Sequence, residues 1–246
     1  MSSNNSNEAF GVGQIDIGQQ EDDDIDNNWD HAPRKSWREL LEISNNRSRK
    51  IRGSNYVQIA TVDPETKTPR CRCVVFRGFQ DMPTDHPFAS FSGPSSCILR
   101  MCTDNRSQKV QQAVQEPTAE VVWWFPKTSE QYRIRGELLF VGGEGKFQYD
   151  HDEHLIIARK QLWGNMSDAA RESFLEDAVP GQAYRPAQQA VPIGGRDQDG
   201  KVVPPPNHFL LMLLKPSYVD YLRLTNQYRQ VDVYDNGHWS SERVNP

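Results

Sequence analysis

Short segments with the alternating pattern of β-strands recur along most of this chain, and no other feature constrains its fold as strongly. The pattern predicts a last strand around Trp239, preceded by strands at 56–62, 70–79, 98–102, 119–125, 131–141, 208–214, 218–224 and 228–234. Asp63-Pro64 and Asp235-Asn236-Gly237 supply the residues of tight turns, so neighbouring strands are expected to pair as antiparallel hairpins. So many short strands are typical of a β-barrel, and we predict a mainly β fold with a few helices.

Helical periodicity occurs in three parts of the chain, one of which is the short segment after the third predicted strand. Ser36 and Glu39 form a capping box at the start of a predicted helix at 37–44. A second region with spaced apolar residues follows the fifth predicted strand. It is interpreted as a helical insert at 151–176, with helices at 153–163 and 167–175.

Polar composition separates two further segments from the folded part. Residues 1–32 are rich in Asn, Ser, Gln and Asp, and they bury too little apolar surface to order themselves, so we expect a disordered acidic tail. Residues 180–206 are rich in Pro, Gly and Gln and are predicted to form a long loop. The remaining chain, 33–246, is expected to form one domain.

The composition limits the partners that the chain can have. It has 246 residues, a net charge of −5 and a sequence pI near 5.7, so it lacks the broad basic surface that attracts nucleic acid or an anionic membrane. No apolar run is long enough to cross a bilayer and no secretory leader is recognisable, so we expect a cytoplasmic protein. The cysteines are expected to be small buried strand residues, with no metal site: Cys71, Cys73, Cys97 and Cys102.

The junction between the third predicted strand and the helical segment after it carries residues that suit an anion. The segment 102–109 sets Thr103, Ser107 and Lys109 around a turn, which is expected at 103–107. The start of the helix would add unpaired backbone N–H groups and the positive end of its dipole. The arrangement predicts a phosphate site, although this segment alone also fits an ordinary capped surface helix.

Arginines on two other strands are candidates to complete such a site. Arg72 and Arg77 flank the apolar run 73–76, and because they are five residues apart in a strand they are expected on opposite faces. In the simpler interpretation both are edge charges that extend into water. Gln131 and Arg133 again place an amide and a cation beside a strand. The planar guanidinium can donate two hydrogen bonds to a phosphate, and the amide can both donate and accept.

Four motifs in this order resemble the pyridoxamine 5′-phosphate oxidase family, and segments 75–79, 103–107, 123–125 and 130–133 most resemble its oxidase-like FMN-binding branch. The four motifs are Arg72-Cys-Val-Val-Phe-Arg77, Thr103-Asp-Asn-Arg-Ser107-Gln-Lys109, Gln131-Tyr-Arg-Ile-Arg-Gly136, and Arg229 followed by the C-terminal Trp239-Ser-Ser-Glu-Arg-Val-Asn-Pro246. The resemblance covers about residues 36–246. It implies a split β-barrel homodimer that binds FMN between its protomers and oxidises pyridoxamine or pyridoxine 5′-phosphate to pyridoxal 5′-phosphate with O₂.

The resemblance also implies roles for individual residues. Gln131 would reach the flavin from the partner chain, and Arg77 and Arg229 would lie near the flavin ring as the candidate catalytic residues. The flavin phosphate would be bound by Arg72, Lys109, Ser107 and the Thr103 turn. The complete expected cofactor-binding set is Arg72, Val75, Arg77, Cys102, Thr103, Ser107, Gln108, Lys109, Gln131 and Arg229.

Three features depart from the family pattern. The oxidases carry an Arg and a His that clamp the substrate, and Thr225 and Gln227 stand at those positions here. The family's Trp near the C-terminus falls on Val219, or on Tyr221 with a one-residue gap. The residues that bind the substrate phosphate have no clear counterparts, and the nearby side chains are Tyr149, Arg159 and Lys160. Two alternatives stay open: an FMN-dependent reductase acting on another small substrate, and a noncatalytic protein that binds flavin or haem.

Three consecutive aromatic residues lie in the strand predicted at 119–125. Alternation places Trp123 and Phe125 on one face of the sheet and Trp124 on the other. We interpret them as core or dimer-interface residues in preference to residues that stack on a flavin.

Overall fold

The structure is a computed structural model that describes residues 34–91, 96–185 and 190–246, so the tail predicted at 1–32 lies outside the described residues. Helix α1 (Trp37–Ser48) begins with the predicted capping box, in which Glu39 N donates to Ser36 Oγ at 3.3 Å and Ser36 N donates to Glu39 Oε2 at 2.8 Å. The helix is one turn longer than predicted, and its last turn still packs against the domain because Ser48 is fully buried.

Nine antiparallel strands form one sheet, which confirms the mainly β fold. The strands are β1 (Tyr56–Val62), β2 (Pro69–Val75), β3 (Phe79–Gln80), β4 (Ile98–Asp104), β5 (Thr118–Phe125), β6 (Glu130–Val141), β7 (Phe209–Arg223), β8 (Tyr228–Asp235) and β9 (His238–Val244). Their order is β2-β1-β5-β6-β7-β4-β3, with β8 on β7 and β9 on β8. After β2 the chain bonds to β4, through Arg77 N to Arg100 O and Arg100 N to Gly78 O, both at 2.8 Å. The two ends of the sheet therefore meet, and the sheet closes into a barrel.

Three more helices lie outside the barrel sheet. Helix α2 (Gln108–Gln115) follows β4, and α3 (Glu153–Gly164) and α4 (Asp168–Leu175) lie within the segment predicted as a helical insert. The segment predicted as a long loop has a short 3₁₀ turn at Ile193–Gly195, and its residues 186–189 lie outside the described part of the chain. No helix among the described residues is long and apolar enough to cross a membrane.

Both predicted hairpins are confirmed. β1 and β2 pair in register from Tyr56 opposite Val75 to Val62 opposite Pro69. β8 and β9 are joined by the two-residue turn Asn236-Gly237, in which both residues have positive φ, 50° and 87°. This is the geometry of a primed hairpin turn, which Asn-Gly favours.

Strand β7 corrects the prediction of two separate strands at 208–214 and 218–224. It runs unbroken through Pro216 with a bulge at Ser217, since Arg135 of β6 pairs with Tyr218 and the next residue, Gly136, pairs with Pro216. A Cβ at Gly136 would lie 2.1 Å from the carbonyl oxygen of Lys215, so only glycine allows the two strands to approach there. The bulge lets the proline enter the strand without a broken pairing.

Strand β2 ends at Val75, four residues earlier than predicted, and Phe76 N then bonds to Asn55 O at 2.8 Å. The prediction that all four cysteines are buried is wrong for two of them, because Cys71 and Cys73 are exposed on β2. The outward face of this strand is not covered by another layer, as its largely exposed burial pattern shows. Cys97 is buried, and Cys102 is partly buried on β4.

The strands alternate between a buried face inside the barrel and an outer face. Trp123 and Phe125 are fully buried, whereas Trp124 between them is 41% exposed, so the predicted division of the aromatic run is confirmed. Tyr221 and Val219 of β7 also point inward and are fully buried. We call the side of the sheet that carries Trp124 the outer face.

Candidate functional site

The turn between β4 and α2 brings together three of the predicted phosphate-binding side chains. Strand β4 extends to Asp104, which shortens the predicted turn, and Ser107 is the N-cap of α2. The Ser107 hydroxyl makes no capping hydrogen bond to the helix, and instead accepts from Lys109 Nζ at 3.1 Å. Lys109 Nζ also donates to Thr103 Oγ1 at 3.0 Å. Both hydroxyls are buried, so the ammonium and two hydroxyls form a small polar cluster at the end of the barrel.

Arg72 adds a second positive charge to this cluster. Its guanidinium donates to Thr61 Oγ1 at 2.7 Å and to Gln112 Oε1 at 3.0 Å, so β1 and α2 both hold it in place. Burial lowers the pKa of Lys109, and the charge of Arg72 lowers it further. Burial also lowers the pKa of Arg72. Each cation is therefore destabilised where it stands.

No carboxylate neutralises these two cations directly. Within the described residues neither Arg72 nor Lys109 forms a salt bridge. The charge of Asp104 acts on Lys109, but its carboxylate bonds to Arg106, with Nη2 to Oδ2 at 2.7 Å. Two partly desolvated cations beside two hydroxyls are the donor set that a phosphate monoester accepts. We name Arg72, Thr103, Ser107 and Lys109 the phosphate cradle.

Arg77 borders the cradle from the other side. Because β2 ends before it, the predicted placement of Arg72 and Arg77 on opposite faces of one strand does not apply. Burial raises the pKa of the Cys102 thiol, and the charges of Arg77 and Lys109 oppose that shift, so both cations lie near this thiol. Arg77 Nε is buried and has no hydrogen-bond partner among the described residues. An unpaired buried donor beside the cradle is a group that a bound ligand can satisfy.

Three other predicted cofactor residues lie on the outer face. Gln131 and Arg229 lie in one row with Trp124, because Gln131 stands opposite Trp124 and Leu222, and Leu222 stands opposite Arg229. Val75 of β2 stands opposite Tyr56. This face carries two exposed aromatic side chains, with 53% exposure for Tyr56 and 41% for Trp124. Within the described part of the chain, no hydrogen bond or ion pair joins Gln131 or Arg229 to the phosphate cradle.

An ion-pair cluster that the sequence analysis missed holds Arg229. Asp220 of β7 is 2% exposed and accepts from Arg229 Nε at 3.0 Å, from Arg229 Nη2 at 2.8 Å and from Arg133 Nη2. Asp220 is the single carboxylate in the largely apolar strand 209–223, and this is the signal that could have identified it. Thr61 and Gln112 were also missed, since their role depends on the pairing of β1 with β2 and not on spacing along the chain.

The other predicted positions have more local roles. Gln108 is exposed, and its Oε1 accepts from Arg70 at 3.5 Å. Thr225 and Gln227 are exposed in the turn between β7 and β8. Arg159 donates to the carbonyls of Phe209 and Pro206, both at 2.7 Å, so it fixes the entry into β7. The buried positions of Val219 and Tyr221 exclude both from stacking on a ligand at the outer face. No group of three or more potential metal ligands occurs in the part of the chain that the structure describes.

Comparison with known proteins gives consistent results. A family model described as pyridoxamine 5′-phosphate oxidase, FMN-binding domain, matches residues 34–142, which include the cradle and Gln131. Pyridoxine/pyridoxamine 5′-phosphate oxidase 2 of Arabidopsis thaliana is 29% identical over 215 residues, which make up 85% of this chain and 96% of that protein.

Solved structures extend the similarity to the whole fold. A pyridoxamine 5′-phosphate oxidase-related, FMN-binding protein from Nostoc punctiforme is 31% identical, with a TM-score of 0.68 over 87% of this chain and all of that chain. PhzG from Burkholderia lata has a TM-score of 0.63 over 90% of this chain and 98% of its own, and at 14% identity it shows similarity of fold alone. The predicted split-barrel fold is confirmed by these neighbours.

Proposed function

The chain belongs to the pyridoxamine 5′-phosphate oxidase-like FMN-binding family, and from this we propose that it is an FMN-dependent oxidoreductase that oxidises pyridoxamine or pyridoxine 5′-phosphate with O₂. The observation that carries the proposal is the phosphate cradle, where Arg72 and Lys109 are partly buried without a direct carboxylate partner. The Arabidopsis relative, which is named for this oxidation and aligns with 85% of the chain, supports the substrate class.

The residues of the cradle fit the phosphate of FMN. Lys109 and Arg72 would bind its oxygens, and the hydroxyls of Thr103 and Ser107 would turn from Lys109 to the phosphate. Arg77 Nε, buried and unpaired, would gain an acceptor at the same time. When bound, FMN supplies the hydride acceptor, which O₂ then reoxidises. Arg77 and Arg229 would supply positive charge that favours the reduced, anionic flavin.

We propose a homodimer as the active form. Arg72 stands opposite the buried Ile59, on the inner face, whereas Gln131 and Arg229 occupy the outer face. A second copy whose own outer face covers the end of the barrel that carries the cradle would bring its Gln131 and Arg229 to the cradle. The exposed Trp124 and Tyr56 beside them suit such an interface.

A second candidate function is reduction of another small substrate with FMN. It is favoured by the exposed turn between β7 and β8, where Thr225 and Gln227 replace the Arg and His that clamp the substrate in the oxidases. Neither side chain carries a charge that could bind a phosphate. The same cradle serves both functions, so only the substrate distinguishes them.

The test begins with the absorption spectrum of the purified protein and a titration of the apoprotein with FMN. Pyridoxamine 5′-phosphate is then added in air, and hydrogen peroxide and the aldehyde product are measured. Flavin with peroxide supports the oxidase, flavin without peroxide supports the second candidate, and no FMN binding refutes both. The matched control for the titration is Lys201→Met, which removes an exposed lysine outside the cradle.

A further inference from the structure

The carboxylate of Asp220 is almost completely buried between two arginines on the outer face. Arg229 approaches it with two nitrogens, Nε to Oδ1 at 3.0 Å and Nη2 to Oδ2 at 2.8 Å, and Arg133 donates to Oδ2 from the neighbouring strand. This bidentate contact fixes both the plane of the Arg229 guanidinium and its distance from the Asp220 carboxylate. The third nitrogen, Nη1, lies 3.4 Å from the carbonyl oxygen of Asn245.

The cluster keeps a net positive charge. Burial would raise the pKa of the Asp220 carboxyl, but the hydrogen bonds from Arg229 and Arg133 outweigh it and hold the pKa below its usual range. Asp220 is therefore ionised at neutral pH, and two guanidinium groups with one carboxylate give a net charge of +1. The arginine side chains remain 40% exposed for Arg133 and 30% for Arg229, so this charge faces the surface that carries Gln131.

We propose that Asp220 is a positioning residue that orients Arg229 toward the bound flavin and sets the local charge at +1, and thereby the reduction potential of FMN. This inference rests on the proposed function, since it requires FMN bound at the cradle of the partner copy, where it meets this outer face. A positive charge near the flavin binds the reduced anionic form more tightly than the oxidised form. Two unneutralised arginines would raise the potential beyond the native value, whereas a neutral cluster would lower it.

Three variants give a graded series of charge at one place. Asp220→Asn leaves both arginines and a cluster charge of +2. Arg133→Gln keeps the Asp220–Arg229 pair and gives zero. The double variant Asp220→Asn with Arg133→Gln returns to +1, but it lacks the carboxylate that orients Arg229. The control is Glu137→Gln, which removes a carboxylate 2.8 Å from Lys215 at another level of β6.

The measurement is the midpoint potential of the FMN-loaded protein, followed spectroscopically against reference dyes, with FMN affinity determined in parallel. We expect the highest midpoint potential for Asp220→Asn and the lowest for Arg133→Gln. Wild type and the double variant should have equal potentials between these two. The ratio of oxidised to reduced FMN dissociation constants should change about tenfold per step, or ~30 mV for the two-electron couple. The double variant should keep the native potential but bind FMN several-fold more weakly, because Arg229 is no longer oriented.

The outcomes separate this inference from the proposed function. If the wild-type protein binds no FMN, both are wrong. If it binds FMN and the potentials of all variants coincide with those of wild type and Glu137→Gln, only the role of Asp220 is refuted. The comparison of wild type with Arg133→Gln decides the matter even if Asp220→Asn does not fold, because Arg133 is the more exposed partner and its loss leaves Asp220 paired.

Discussion

Replacement of Lys109 by methionine should weaken FMN binding and stabilise the protein without FMN. The ammonium is the centre of the phosphate cradle, and it is buried beside the charge of Arg72, which lowers its pKa. Without an anion this charge is unfavourable, and with a phosphate it is favourable. Methionine has a similar length, keeps the apolar stem and removes the charge. One substitution therefore tests whether the cradle exists for an anion.

The expected loss of FMN affinity can be estimated from the hydrogen bond that Lys109 would make to the phosphate. A hydrogen bond to a charged group contributes about 1.5–3 kcal/mol, so loss of the Lys109 contact should raise the dissociation constant of FMN roughly 10- to 150-fold. The apoprotein loses only the donations to Thr103 and Ser107, whose hydroxyls are 3.4 Å apart and can bond to each other. Each kcal/mol gained would raise the melting temperature by roughly 2–4 °C for a domain of this size.

The lowered pKa of Lys109 also determines how the stability of the apoprotein changes with pH. Because the folded-state pKa of Lys109 is lowered, the unfolded chain binds more protons between that value and the ordinary lysine pKa. The stability of the wild-type apoprotein should therefore rise with pH in this window relative to that of Lys109→Met. At lower pH the lysine is charged in both states, so its full destabilising effect is present there.

The assays are a fluorescence titration with FMN and a thermal unfolding scan of the apoprotein, with Lys201→Met as control. Equal FMN affinity of Lys109→Met and wild type, within threefold, would refute the assignment of the cradle. An apoprotein that is destabilised by more than about 1 kcal/mol would refute the argument that the charge is unfavourable without its anion, because a net hydrogen bond contributes about that much.

Three further predictions test the fold and the interface. Gly136→Ala should destabilise the domain by about 3 kcal/mol in urea unfolding, because its Cβ would lie 2.1 Å from the Lys215 carbonyl oxygen. This is the upper end of the usual cost of overpacking, since the clashing atom belongs to the backbone. Ser36→Ala should cost about 1 kcal/mol by removing the α1 capping bond, again measured in urea. Trp124→Ala should shift the mass measured by analytical ultracentrifugation toward the monomer, and an unchanged dimer would contradict an interface at the outer face.

The parts of the molecule that depend on local patterns could be predicted from the sequence. The alternation of apolar and polar residues predicted the barrel strands, and Asn236-Gly237 predicted a hairpin turn. Both patterns can be recognised because each is contained in a few consecutive residues. The contact of Lys109 with Thr103 and Ser107 could be predicted for the same reason, since the three residues lie close together in the chain.

The parts that depend on register between distant strands could not be predicted. Gln112 and Thr61 hold Arg72 only because β1, β2 and α2 meet at one end of the barrel. Asp220 pairs with an arginine 87 positions earlier in the chain, and no spacing rule connects them. The unbroken strand through Pro216 likewise depends on its register with β6, which leaves Ser217 as a bulge.

The division of the predicted cofactor residues between two faces is the strongest structural argument for assembly. The residues of the cradle lie at one end of the barrel, with Arg72 on the inner face of the sheet. Gln131 and Arg229 lie on the outer face, where Asp220 fixes the arginine. Because the two sets lie on opposite faces of the sheet, one barrel does not present both of them to a ligand from the same side. In the proposed homodimer, a two-fold axis would bring the outer face of one copy to the cradle of the other and so form two equivalent sites. Loss of FMN affinity on dilution into the monomer range is therefore expected.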